Sequence, residues 1–353
     1  MSPVTAKKRP KVEVSYERRS RVPRPPVVVC AVPDLREGID LIRAGAGFAA
    51  RLDAAQVLVH IQPAPLITSE PQIAFASLAP DAASQLREAA RELARIAAAA
   101  GAGEDTKIHA AFGVAERSLF EIAEREAADF ILVGPRALSR SLIDRAPCPI
   151  LVIPGGPVRN APPALPDWGE QPMATHERAD DGAVMSSRKE DGVTRSILCG
   201  VDGSADARLA LRAAAQLSSQ LDARLVVAHV VQMSAPSARL GPKTMVPIGA
   251  ALEGGVKMLE GILAEEGLSD ADQRVEHGFP ADRLADLADE EDAEMIVVGS
   301  RGRGAFKAAF LGSVSTDVIG VARCPVLVVP PGADAGAGSA TTVQREQSDA
   351  AVH

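Results

Sequence analysis

Aromatic residues are scarce in this chain: 3% of 353 residues, with one Trp, one Tyr and eight Phe. Its core must therefore be built from Ala, Val, Leu and Ile, which suits helices packed on parallel strands. No apolar run approaches the ~20 residues of a membrane-spanning helix. Met1 to Arg24 has no apolar segment like that of a secretory signal, so a cytoplasmic protein is expected. Cysteine is limited to Cys30, Cys148, Cys199 and Cys324, none in a CxxC, which gives no support to a zinc or redox motif. Four buried thiols in a reducing compartment are expected instead. Positive charge is in deficit: the net charge of −8 argues against a general nucleic-acid binder. The common phosphate signatures are missing too. No GxxxxGK[ST] run occurs, and Gly299 to Gly304 reads GSRGRG, which is not the GxGxxG spacing.

What the chain does have is length for two domains, a hydrophobic share of 46%, and an internal repeat. Offset by 169 positions, Val28-Val29-Cys30-Ala31-Val32 overlies Ile197-Leu198-Cys199-Gly200-Val201. Leu52-Asp53-Ala54 overlies Leu221-Asp222-Ala223, and Val57 to Ile61 overlies Val226 to Val230. Further on, Phe130-Ile131-Leu132-Val133-Gly134 matches Met295-Ile296-Val297-Val298-Gly299, and Cys148-Pro149-Ile150-Leu151-Val152 matches Cys324-Pro325-Val326-Leu327-Val328. One domain has been duplicated.

Each copy alternates short apolar runs with longer Ala-rich helical patterns, the signature of βαβ units and a doubly wound α/β fold with a parallel sheet. In the second copy the patterns predict strands near 196–202, 224–231, 273–277, 294–299 and 325–329, and helices near 204–220, 248–266, 280–291 and 313–322. The domains expected are 25–154 and 195–331. Residues 155–194, with Pro157, Pro162, Pro163, Pro166 and Pro172, form a linker that holds the single Trp168. Residues 1–24, rich in Lys and Arg, and the Ala- and Gly-rich 332–353 are expected to be disordered tails.

The most telling run follows the apolar Met295 to Val298. Gly302 and Gly304 allow a sharp turn and a close approach to a ligand. After nine intervening residues, 303–311, come Gly312-Ser313, and Ser313 opens a helical stretch that it can cap. The N–H groups and partial positive charge of a helix start favour a phosphate. This run, VVGSRGRGAFKAAFLGSVS, resembles the nucleotide-binding loop of the universal stress protein family. The resemblance implies two five-stranded sheets of order 3-2-1-4-5, an adenine-nucleotide alpha-hydrolase-like arrangement, with strands one and four adjacent. It further implies an ATP site at their carboxyl ends. Matching the family's pattern position by position assigns that site to Val201, Asp202, Val230, Gly299, Arg301, Gly302, Gly312, Ser313, Val314 and Ser315. Magnesium would enter through the phosphates.

The residues themselves leave some roles open. Asp202 can accept hydrogen bonds from ribose hydroxyls or help hold a cation, or it can serve as a turn aspartate. His229 ends the second strand without a nucleophile or orienting partner in view, and a structural role is expected. Arg301, Arg303 and Lys307 are either an exposed basic loop or electrostatic help for a polyphosphate.

The first copy departs from the pattern. Pro33 stands where Asp202 stands, Pro135 to Ser139 replace Ser300 to Gly304, and the following loop is eleven residues shorter. Proline has no N–H to donate, and non-glycine residues resist left-handed turns. The first copy is expected not to bind ATP in the same way and to serve in pairing or regulation.

The function expected is therefore an ATP-binding, nucleotide-dependent stress-response regulator, with at most slow hydrolysis. The competing readings are a nucleotide-free interaction scaffold and an adenylating enzyme of the same fold. The latter lacks an SGGxDS or HIGH run: Asp202-Gly203-Ser204-Ala205 and His60-Ile61-Gln62-Pro63 stand in their places. The last strand of each copy, Ile150 to Ile153 and Val326 to Val329, is apolar and lies near a sheet edge. It invites pairing either within one chain or between two chains of a homodimer.

Overall fold

Short runs of β-branched residues and Leu form the strands, and Ala-rich amphipathic segments form the helices between them. The computed structural model describes residues 24–35, 38–63, 71–154, 195–232, 247–302 and 312–331. The basic tail, the linker with Trp168, the C-terminal tail, and Arg303, Gly304 and Lys307 lie outside the described residues.

The first repeat runs β1 (Val27–Ala31), α1 (Gly38–Arg51), β2 (Ala55–Gln62), α2 (Pro71–Ala99), β3 (Lys107–Phe112), α3 (Ala115–Arg125), β4 (Phe130–Val133), α4 (Arg140–Arg145) and β5 (Ile150–Val152). The second runs β6 (Ser196–Gly200), α5 (Ala205–Gln220), β7 (Arg224–Gln232), α6 (Ile248–Glu266), β8 (Asp272–Gly278), α7 (Pro280–Glu290), β9 (Ala293–Gly299), α8 (Ser313–Val321) and β10 (Val326–Val329). The expected elements of the second copy are all present. The main difference is that the first strand stops at Gly200, so Val201 and Asp202 belong to the turn beyond it.

Each repeat has the order 3-2-1-4-5, and the two sheets are halves of one ten-stranded sheet: β3-β2-β1-β4-β5-β10-β9-β6-β7-β8. All pairings are parallel except the junction, where β5 and β10 run antiparallel with Leu151 opposite Leu327. Of the two edge pairings left open by the sequence, the fold uses the one within the chain.

Helices cover both faces. α1, α2, α5 and α6 pack on one side through Ile42, Leu93, Leu211 and Leu259. α3, α4, α7 and α8 pack on the other through Leu119, Ile143, Leu284 and Val318. Among the few aromatics, Phe48 and Phe130 meet edge to face at 5.3 Å, a favoured geometry. The four cysteines are free and buried. Burial pushes the Cys30 thiol up to about 12, and does the same to Cys324. Such thiols are inert rather than reactive.

The duplication extends to backbone detail. Asp53 and Asp222, at equivalent helix-to-strand turns, have φ of 50° and 51°, and Ala127 and Asp292 have 52° and 48°. Each half therefore closes its βαβ units with the same left-handed turns.

Candidate functional site

Strands β6 and β9 are neighbours, paired from Ile197↔Met295 to Cys199↔Val297. Their following helices, α5 and α8, lie on opposite faces of the sheet. The chain therefore parts on either side of their carboxyl ends and leaves a crevice. At the first lip, Asp202 accepts a hydrogen bond from the Ser204 N–H at 2.9 Å. Ser204 in turn caps α5 by accepting from the Ala207 N–H at 3.1 Å. Its hydroxyl also reaches the Arg301 carbonyl at 3.3 Å, which ties the two lips together. Asp202 thus fills the turn role that the sequence suggested, while its carboxylate also borders the crevice.

The second lip is held as tightly. Ser300 is fully buried. Its N–H donates to the Val329 carbonyl at 3.0 Å, and its own carbonyl accepts from the Gly312 N–H at 2.8 Å. The Ser300 hydroxyl donates to Asp206 at 3.2 Å. The Ser315 hydroxyl donates to the Gly312 carbonyl at 2.9 Å. These hydroxyls are engaged with carbonyl or carboxylate oxygens, which makes them braces of the loop rather than nucleophiles.

Glycine is needed here for contact, not for left-handed backbone. A Cβ on Gly302 would stand 2.6 Å from Asp202 Oδ2, and one on Gly299 would stand 2.7 Å from the backbone of Asp206. The loop therefore lies directly on the turn after β6. One expectation needs correcting. Ser313 does not cap α8; Gly312 occupies the cap position and makes no side-chain cap bond, and Ser313 is the first residue of the helix. Glycine has no side-chain oxygen with which to satisfy the first-turn N–H groups.

Together these elements enclose a cavity of about 670 Å³. Val201, Asp202, Val230, Gly299, Arg301, Gly302, Gly312, Ser313, Val314 and Ser315 all line it. The sequence did not single out Ala228, Gln232, Pro280, Leu284 and Val298 as lining residues. Leu284 and Val298 read as core, and nothing in a single sequence separates a core side chain from one on a cavity floor. Pro280 opens α7 after Gly278-Phe279, and that turn was the one available signal for it.

His229 also lines the cavity. Its Nδ1 lies 2.8 Å from the Val201 carbonyl and so carries the donated proton. His60 makes the same bond to Val32 in the first repeat at 2.7 Å. A bond repeated in both halves joins the strands and has a structural role, as expected.

In the first repeat, β4 leads through Gly134 into a short 3-10 turn, Pro135–Ala137. Ser139 then caps α4, with its hydroxyl accepting from the Leu142 N–H at 2.9 Å. That hydroxyl also donates to Glu116. The chain reaches β5 without a glycine loop. Across the repeat boundary, Arg301 meets Asp144 of α4 at 3.3 Å.

Among the described residues no cluster of His, Cys, Asp or Glu could hold a metal ion by itself, and no helix is long and apolar enough to cross a membrane. Its described lining offers an apolar floor, the first turns of α5, α7 and α8, one carboxylate and one guanidinium: the equipment of a binding site for an anionic ligand with an apolar part.

The universal stress protein family model matches residues 27–154 and 194–330. A universal stress protein of Mycolicibacterium smegmatis is 28% identical over 317 residues, which is 86% of this chain and 97% of that protein. A shorter one from Thermus aquaticus, named for its position in the QAH/OAS sulfhydrylase 3′ region, is 34% identical over 135 residues. That match covers 38% of this chain and 98% of the relative. Among solved structures, a universal stress protein from Archaeoglobus fulgidus shares the fold with a TM-score of 0.51 at 17% identity, covering 86% of this chain and 96% of that one.

Proposed function

This chain belongs to the universal stress protein family in a tandem, two-repeat form, and on that premise we propose that its second repeat binds ATP. One observation carries the reading: residues from four separate segments, after β6, at the end of β7, after β9 and at the start of α8, line a single cavity of about 670 Å³. That volume lies within the range of small-molecule sites. In this reading the base lies along Val201, Val230 and the apolar floor. Asp202 accepts from the ribose hydroxyls. The N–H groups of Ser313 and Val314 meet the phosphates at the uncapped start of α8. Arg301 adds charge. A divalent cation would be held by the phosphates, since the described residues offer no cage of their own.

The protein in this reading is a nucleotide-dependent regulator rather than a fast enzyme. The Ser204, Ser300 and Ser315 hydroxyls around the cavity are engaged with oxygen acceptors, and His229 is tied to Val201, so none of these described groups is an activated nucleophile. The first repeat supports a second reading, that of a ligand-free scaffold, because it keeps the whole fold with Pro33 and Pro135 in place of the site residues.

Isothermal titration of the full chain with ATP decides between them. The wild type is expected to bind one equivalent. Gly302→Ala is expected to weaken binding at least tenfold, about 1.4 kcal/mol, because the new methyl displaces the Asp202 carboxylate from its place beside the loop. Absence of heat in folded wild-type protein would favour the scaffold.

A further inference from the structure

The cavity of the second repeat does not stand alone: the only arginine among its described lining residues is engaged by the first repeat. Arg301 Nη2 lies 3.3 Å from Asp144 Oδ1, and Asp144 is the more buried partner, with 11% of its side chain exposed against 31% for Arg301. The contact uses one guanidinium nitrogen. Arg301 Nε is buried and has no hydrogen-bond partner among the described residues. Asp144 lies on α4, the helix that leads into β5 in the first repeat as α8 leads into β10 in the second. The antiparallel β5–β10 junction brings α4 and the segment of Arg301 face to face.

We propose that Asp144 is a specificity-determining residue for the second repeat's site, acting through Arg301 to set how strongly the site distinguishes polyphosphate from uncharged ligands. This rests on the nucleotide-binding reading above. A single charge-assisted contact at 3.3 Å is long beside the 2.7–2.9 Å of a strong one. A phosphate can offer Arg301 a bidentate partner that Asp144 does not. Polyphosphate therefore draws Arg301 away from Asp144, and each added phosphate charge must also overcome the repulsion of a largely buried carboxylate close by. An adenosine moiety without phosphates leaves the pair intact. Binding is thereby linked to the contact between repeats: whatever loosens the Asp144 contact tightens polyphosphate binding, and bound polyphosphate loosens the contact by the same factor.

The test is calorimetric titration of full-length wild type, Asp144→Asn, Arg301→Ala and the double variant, each with ATP and with adenosine. Asp144→Asn keeps the shape and removes the charge. It is expected to bind ATP about fivefold tighter and adenosine within twofold of wild type. In the Arg301→Ala background the same change is expected to leave ATP affinity within twofold. Amide hydrogen exchange of wild type, which needs no substitution, is expected to speed up across residues 140–145 when ATP is added. Equal effects on ATP and adenosine, an unchanged ATP affinity in Asp144→Asn, or an ATP effect that persists without Arg301 would each overturn the assignment of Asp144. In those cases the site itself still stands. Failure of wild type to bind either ligand would sink the nucleotide reading and this inference with it.

Discussion

Gly299 and Gly302 stand three positions apart and are glycine for different reasons. A methyl on Gly302 meets the movable end of the Asp202 side chain at 2.6 Å. A methyl on Gly299 meets the Asp206 carbonyl carbon and oxygen at 2.7 Å and the Ala207 nitrogen at 2.9 Å. Those are backbone atoms of the first turn of α5, packed on a buried strand, and they cannot step aside alone. Gly299→Ala is therefore expected to destabilise the protein by about 1–3 kcal/mol, the usual cost of forcing extra volume into a packed place. Gly302→Ala should leave the unfolding midpoint within experimental error while weakening ligand binding. Urea denaturation of both variants checks the contrast, and equal midpoints would contradict it.

At the scale of elements, the turns between helices and strands carry stored strain. Ala127, between α3 and β4, sits at φ 52° with no side-chain polar group to offset it, whereas its counterpart in the second repeat is Asp292 at 48°. Left-handed backbone costs an ordinary residue about 1–2 kcal/mol, and Asp tolerates it better. Ala127→Gly is expected to stabilise the protein by about 0.5–1 kcal/mol, the relief of strain less the extra freedom of glycine in the unfolded chain. A shift of the thermal midpoint to higher temperature checks it. The hydrogen bond that the Ala127 carbonyl accepts from the Arg24 guanidinium at 2.6 Å is untouched by the change. Elsewhere, pairs of helices are clasped at their surfaces. Arg212 on α5 grips Glu266 on α6 through two bonds of 2.6 and 2.9 Å. The Arg212 hydrogen bond holds the Glu266 carboxyl below its ordinary value.

For the whole molecule, the decisive feature is one sheet running through both repeats. Leu151 and Leu327 face each other at the β5–β10 junction, both almost fully buried. A further tie crosses the boundary where Arg51 of the first repeat meets Glu294 of the second at 2.6 Å. The two halves should therefore unfold together in one calorimetric transition. Leu151→Asp places an unpaired carboxylate in that junction and is expected to cost at least about 3 kcal/mol. It is also expected to split the transition in two. A single transition at the wild-type temperature would show that the halves are not coupled through this edge.

Much of this was written locally. The 169-residue offset, the alternation of strands and helices, and the loop from Gly299 to Ser315 depend on side-chain periodicity and on glycine positions, both of which act within a few residues along the chain. For that reason the helices of the second repeat fall within a residue or two of their expected bounds, and the departures at Pro33 and Pro135 were visible at once. Contacts between distant residues were not legible. That Gly312 rather than Ser313 holds the cap position of α8 depends on how the Ser300 carbonyl receives the chain. That Leu284 and Val298 floor a cavity instead of filling a core depends on where α7 comes to rest. The choice of pairing within the chain, and with it the meeting of Asp144 and Arg301, was decided only when two apolar edge strands found each other. Sequence pattern governs what each segment can bury, but only the assembled sheet determines what it is buried against.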